Sequence, residues 1–174
     1  EYLLALRGDP VSQTSLLSTS IQTLMLGSRL LDPPETFDKR TRPFFGWRSF
    51  AFTDQLDATN RLFMDFLDAE GRDRQGRLNR LKHPDGGLAR LREPLYPPGR
   101  RYLAGQDWRV PRAIGHDLSD SLEVARTTAH DKGVSGRSEV VVATSALEVG
   151  FDDPGVGLVL QHKAPRSMAS FLQR

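Results

Sequence analysis

The sequence has no cysteine. Disulfides and thiolate metal sites are therefore excluded, and a reducing, cytoplasmic setting is the expected one. Histidine is nearly as scarce. The four present, His83, His116, His130 and His162, are scattered and never fall at metal-ligand spacing, which argues against a zinc enzyme and for no bound metal. No apolar run approaches the roughly 18 to 20 residues of a membrane span, so no membrane partner is expected. The opening residues, EYLLALRGDP, carry neither the basic start nor the small-residue cleavage site of a secretory signal. They also begin without Met, so the N-terminus reads as a cut edge. Lysine, too, is rare: twenty of the 24 basic residues are arginine, although the net charge is only +2. Arginine forks onto phosphate oxygens and suits nucleic acid or nucleotide, but GC-rich coding enriches it equally.

What is present is an ordinary globular composition, 38% apolar and 26% charged over 174 residues, enough for one domain with a real core. Residues 14–31, TSLLSTSIQTLMLGSRLL, place Leu17, Ile21, Leu24 and Leu31 on a helical stripe, with Leu16, Met25 and Leu30 beside it. Pro33 and Pro34 end that helix. The loop RTRPFFGWR mixes arginine with aromatics and either packs on the core or stacks bases. SFAFT (residues 49–53) reads as a short buried strand. Asp54 then looks like an N-cap for a helix, QLDATNRLFMDFLDAE, that buries Leu56, Leu62, Phe63, Phe66 and Leu67 and stops at Gly71. This strand–turn–helix unit begins a βαβ pattern.

Residues 72–118 are rich in Arg, Gly and Pro and weakly periodic, the mark of an insertion. It is either a solvated basic loop or a nucleic-acid-contacting flap, with Tyr102 and Trp108 as possible stacking platforms. Regular structure returns with LEVARTT (122–128), VVVAT (140–144) and VGLVLQH (156–162), strands separated by polar connections, and Pro165 with Ser167 opens a further helix. VVVAT is apolar on both faces, as strands of parallel sheets are. The expected fold is α/β: a parallel sheet flanked by helices, with a basic loop-rich insertion.

Ligands of open parallel sheets bind at the carboxyl ends of strands. That rule selects Thr53 and Asp54, then Thr144 and Ser145, then residues 162–166. Thr144 and Ser145 offer hydroxyls and backbone N–H groups to a phosphate, or simply cap a helix. In the turn EVGFDDPG, Gly150 permits close backbone approach, and Asp152 and Asp153 are acceptors able to hold a ribose hydroxyl. An acidic turn before a strand is also a common structural device.

The stretch VVVATSALEVGFDDPGVGLVLQHKAPRSMASFLQR resembles motif V through the start of motif VI in the second RecA-like domain of superfamily 2, DEAD/DEAH-box-type helicases. There a strand ending in Ala-Thr is followed by a helix, a Gly-x-Asp turn, a strand, a Pro and a helix reaching a Gln/His-Arg-x-Gly-Arg-x-Gly-Arg signature. SFAFTDQLDATNRL resembles motif IV. SALEVGFDDP and LQHKAP are most similar to large bacterial members associated with phage defence or DNA modification. The resemblance covers residues 49–70 and 122–174. It implies a helical linker over residues 1–48 and a truncated second RecA-like domain over 49–174, interrupted by the insertion 72–118.

By that resemblance Thr144, with Ser145 and Thr53, would contact nucleic-acid phosphates without reading sequence. Gly150 and Asp152 would lie at the nucleotide edge, Asp152 near the ribose, with Gln173 and Arg174 opening motif VI. Val149 stands where many DEAD-box members have Arg, a departure from the family's pattern. ATP and Mg2+ would be bound mainly by a first RecA-like domain of the same polypeptide, and the arginine fingers would follow Arg174. None of Lys39, Lys82, Lys132 or Lys163 completes a G-x-x-x-x-G-K-[ST] phosphate loop. The expectation is a segment of a DNA helicase or translocase that does not hydrolyse ATP alone. Two other readings remain: a non-catalytic nucleic-acid-binding α/β module, and a small-molecule enzyme using Asp54, Asp57 or His162 as acid–base groups.

Overall fold

The computed structural model describes residues 13–31, 46–78, 121–128, 136–144 and 153–163. Ser145, Gly150, Asp152, Gln173, Arg174, most of the insertion, and the helices expected after Thr144 and at Pro165 lie outside the described residues. In chain order the elements are α1 (Gln13–Arg29), β1 (Arg48–Thr53), α2 (Leu56–Ala69), β2 (Val124–Thr127), β3 (Val140–Thr144) and β4 (Val156–Gln161). No helix among the described residues is long and apolar enough to cross a membrane.

The strands form one sheet in the order β2-β3-β1-β4, and every pair is parallel. β1 lies between β3 and β4, which explains why all six of its residues are buried and why its sequence is apolar on both faces. Ala51, Val140, Val142 and Leu160 point to one face and meet Leu24 and Met25 of α1 and Leu62 and Phe66 of α2. Phe50, Phe52, Val141 and Ala143 point to the other, where the two phenyl rings stack with centroids 6.0 Å apart. This is the α/β parallel sheet with flanking helices that the sequence predicts, and it is consistent with a RecA-like fold. Among the described residues both helices cover the same face.

α2 follows its periodicity: Thr59, Leu62, Phe66 and Leu67 are buried, and Phe63 packs against them. Burying a side chain such as Phe66, fully withdrawn from solvent here, contributes about 1.5–3 kcal/mol. Gly71 stops the helix at φ +70° as expected. Two details differ from the sequence reading. Leu56 is 48% exposed, because it begins the helix past the ends of β1 and β3, where there is no sheet left to cover it. Gln55, not Asp54, occupies the N-cap, and its side chain makes no capping bond. The hydroxyls of Thr53 and Thr59 fasten that corner instead: they lie 2.5 Å apart and both reach the Gln55 carbonyl, so one donates to that oxygen and the other to its neighbour's hydroxyl.

α1 lies against β1, β4 and α2. Its contact with β4 is close: a Cβ on Gly27 would come within 2.6 Å of Leu158 Cδ2. Its last turn is held by Arg29, whose guanidinium forks onto Glu70 at 3.0 and 2.9 Å. Glu70 is fully buried and also accepts the Leu122 N–H, so one carboxylate joins α1, the end of α2 and the approach to β2. A pair so withdrawn from water is tolerable only because both partners are multiply bonded.

Candidate functional site

The chain leaves β1 toward the β2 edge of the sheet and leaves β3 toward the β4 edge. The two connections cross, each passing the neighbouring strand, so the rule that applies is the general one: ligands of open parallel sheets bind beyond the carboxyl ends of the strands. At that end β1 and β3 are neighbours, and their last residues, Thr53 and Thr144, are register partners. The structure thus brings together two residues selected separately from sequence, 91 positions apart in chain order.

They are not equivalent. Thr53 is fully buried, with its Oγ1 2.5 Å from Thr59 Oγ1 and 3.1 Å from the Gln55 carbonyl. Its hydroxyl is committed to holding the first turn of α2 on the strand end. Thr144 is half-buried, at the open end of β3. Of the two, Thr144 is the side chain that can meet a ligand.

The same edge continues across β4. Phe52 pairs with Gln161, and the His162 N–H donates to the Phe52 carbonyl at 2.9 Å. His162 is 5% exposed, and its Nδ1 lies 2.8 Å from Ser20 Oγ on α1. Burial, reinforced by the neighbouring Lys163 charge, holds its pKa below the ordinary histidine value. Lys163 is exposed and adopts a left-handed φ of +69°, uncommon for a residue with a side chain. A groove of about 760 Å³ opens here, lined by Leu17, Gln55, Asp57, Arg61, Asp65 and His162 among others. Burial raises the Asp65 pKa, against the opposing pull of Arg61. Asp57 and His162, two of the sequence-selected acid–base candidates, share this groove, yet the histidine Nδ1 is taken up by Ser20.

The opposite, amino-terminal edge is tied shut. Arg48 donates to the Ser138 carbonyl at 2.9 Å and the Gly136 carbonyl at 3.1 Å, pairs with Asp153, and stacks 4.1 Å from the Trp47 ring centroid. The backbone N–H groups of Trp47 and Arg48 both donate to the Gly155 carbonyl. Asp153, one of the two turn carboxylates offered to a ribose, is therefore engaged by Arg48 and by the Gly155 N–H. It acts here as a structural residue. In the same segment, the Trp47 of RTRPFFGWR packs against the turn.

Sequence reasoning missed Thr59, Arg48 and Ser20. Nothing in their local pattern marks them; each acquires its role from a partner brought near by folding. The residues that the resemblance assigns to ATP, Gly150, Asp152, Gln173 and Arg174, all lie outside the described set.

Comparison with known proteins gives partial matches. The chain is 53% identical over 62 residues to the "Lhr helicase/ probable uracil glycosylase" of Mycolicibacterium smegmatis, a match covering 36% of this chain and 4% of that protein. It is 44% identical over 50 residues to the "Putative ATP-dependent DNA helicase Q1" of Caenorhabditis briggsae and 40% identical over 50 residues to the protein of the same name in Caenorhabditis elegans. Each of those two matches covers 29% of this chain and 8% of the relative. Over these stretches the chain is similar to DNA helicases. It spans less than a tenth of the length of these curated relatives. No protein-family model and no solved structure matches it.

Proposed function

We propose that this chain is the second RecA-like half of a superfamily 2 motor, a DNA helicase or translocase driven by ATP. The observation that carries the reading is the pairing of Thr144 with Thr53 at the adjacent carboxyl ends of β3 and β1, in a chain similar to named DNA helicases. Thr144 and the adjacent Ser145 receive a backbone phosphate; Thr53 and Thr59 keep the first turn of α2 fixed beside it. Contacts of this kind grip nucleic acid without reading bases.

Gly150 and Asp152 contribute to the nucleotide edge, and Gln173 and Arg174 open the segment that leads to the arginine fingers of the intact protein. ATP and Mg2+ supply the phosphoryl-transfer chemistry when bound, mainly through the first RecA-like domain. Opening and closing of the two halves alter the grip on the strand.

Fluorescence anisotropy with labelled single-stranded DNA tests the reading. The chain should bind weakly, with affinity falling steeply as salt rises, and Thr144→Val should weaken binding at every salt concentration. Binding that is independent of salt, or unchanged by Thr144→Val, would sink it. The chain alone should show no ATPase activity.

A further inference from the structure

We propose that His162 is a proton-controlled latch between α1 and the carboxyl edge of the sheet: as neutral imidazole it keeps α1 docked, and on protonation it releases the helix. The inference stands on geometry and does not depend on the motor assignment.

Three elements meet at this residue. Its backbone N–H is held by the Phe52 carbonyl of β1 at 2.9 Å, which fixes the imidazole at the end of β4. Its Nδ1 faces Ser20 Oγ at 2.8 Å, halfway along α1. Ser20 in turn donates to the Leu16 carbonyl one turn earlier, at 3.1 Å. With the hydroxyl proton placed there, Nδ1 carries the imidazole proton and donates to Ser20. Ser20 and His162 are both buried, at 5% exposure each, so this is an interior polar contact that closes the upper part of the α1 interface.

Protonation does not break the bond, since an imidazolium still donates through Nδ1. What it changes is solvation. A positive charge at a site 5% open to water loses hydration that one serine hydroxyl does not replace. Lys163, next in the chain, adds a second positive charge beside it. The other charged groups of the groove are Asp57, Arg61 and Asp65 on α2; α1 contributes Leu17 and Ser20, and β1 ends in Thr53, all uncharged. Among the described residues two carboxylates, Asp57 and Asp65, and two cations, Arg61 and Lys163, line the groove, so that lining concentrates no negative field on the imidazolium.

The readily available relief is movement of α1. The helix carries no acidic residue in its first turn, and its firmest anchor, Arg29 on Glu70, is at the opposite end. Lifting the Ser20 half exposes the imidazole while Arg29 stays tethered. The latch thus couples the proton concentration to the position of a helix that also packs on β1, whose end holds Thr53 beside Thr144.

Hydrogen exchange of the α1 amides in the full chain tests this between pH 7.5 and pH 5.5, with His162→Asn read at each pH as the control for intrinsic exchange. Relative to that control, protection around Ser20 should fall several-fold on acidification, while the Arg29 turn stays protected. Identical profiles in the two proteins, or uniform loss along all of α1, overturn the proposal. Should His162→Asn not fold, the ring titration of His162 in the unaltered chain decides by NMR. Titration below about 6.5, the ordinary histidine value, together with a parallel shift of the Ser20 resonances, is the expected result. Titration at or above that value, or with no Ser20 shift, overturns it.

Discussion

The two edges of the sheet are built from the same strands and differ in almost everything else. At the amino edge, Gly46, Trp47 and Arg48 meet residues 153–155 through backbone bonds and an ion pair, Arg48 stacks on the Trp47 ring, and two glycines permit the approach. At the carboxyl edge, Thr144 is half-buried, Lys163 is exposed in a left-handed conformation, and a groove lies open between α1 and α2. One edge spends its polar groups on itself. The other leaves some of them facing solvent, and a ligand can use only those. That contrast, more than the identity of any single residue, locates the candidate site.

Substitutions can test the contrast, beginning with those expected to do most damage. Removing the charge of Glu70 with Glu70→Ala strands Arg29 and the Leu122 N–H in the interior. Breaking one partner of such a pair costs about 3–5 kcal/mol, to be read from urea unfolding. This is a test of the scaffold shared by both edges, and DNA binding should fall only as the folded fraction falls. Gly46→Ala attacks the amino edge alone. At φ +66° its Cβ would come within 2.6 Å of the Gly155 carbonyl oxygen and 2.8 Å of the Gly157 nitrogen, so backbone must move. A loss of about 2–3 kcal/mol is expected from strain of that kind. A variant as stable as the parent would show that the amino edge is looser than its contacts imply.

At the carboxyl edge, Thr59→Val deletes the hydroxyl that meets Thr53 and should cost about 1 kcal/mol, a typical net value for one hydrogen bond. The pH dependence of stability follows from His162. Its folded pKa is depressed, so the native state holds its proton less readily than the unfolded chain. The corresponding stability is complete above about 6.5 and is lost as pH falls from there through the folded value. Asp65 and Glu139 act in the opposite sense. Burial raises both, so their protonation favours the native state, and only at more acidic pH, near the carboxylate range. Thermal unfolding from pH 8 to pH 5 should show a fall that His162→Asn removes. The smallest effect on stability is expected from Thr144→Val, within about 0.5 kcal/mol for a half-exposed position. Weaker single-stranded DNA binding with unchanged stability is the signature that separates the open edge from the closed one.

Much of this architecture is legible in the residues. VVVAT and SFAFT are too apolar on both faces to be anything but covered strands, and the 3.6-residue spacing of Leu62 and Phe66 sets the buried side of α2. Gly71 announces its own left-handed stop. The rule that parallel sheets bind ligands at carboxyl ends then picks out Thr53, Thr144 and the residues after β4. The sequence could not rank them. Thr53 and Thr144 look alike as strand-ending threonines; one is buried against Thr59, and the other is left partly open. Asp153 looks as available as its neighbour in an acidic turn, until Arg48 takes it.

Local pattern determined which segments become strands and helices and which face of each is buried, because periodicity and backbone preference act over a few residues. Tertiary structure alone decided which polar groups are spent and which remain. That depends on partners such as Ser20 and His162, separated by most of the chain and brought within hydrogen-bonding distance only when α1 packs on β4. A hydroxyl or an imidazole carries the same chemistry wherever it stands in the sequence. Its burial and its partner, both set by packing, determine whether a ligand or a proton can reach it.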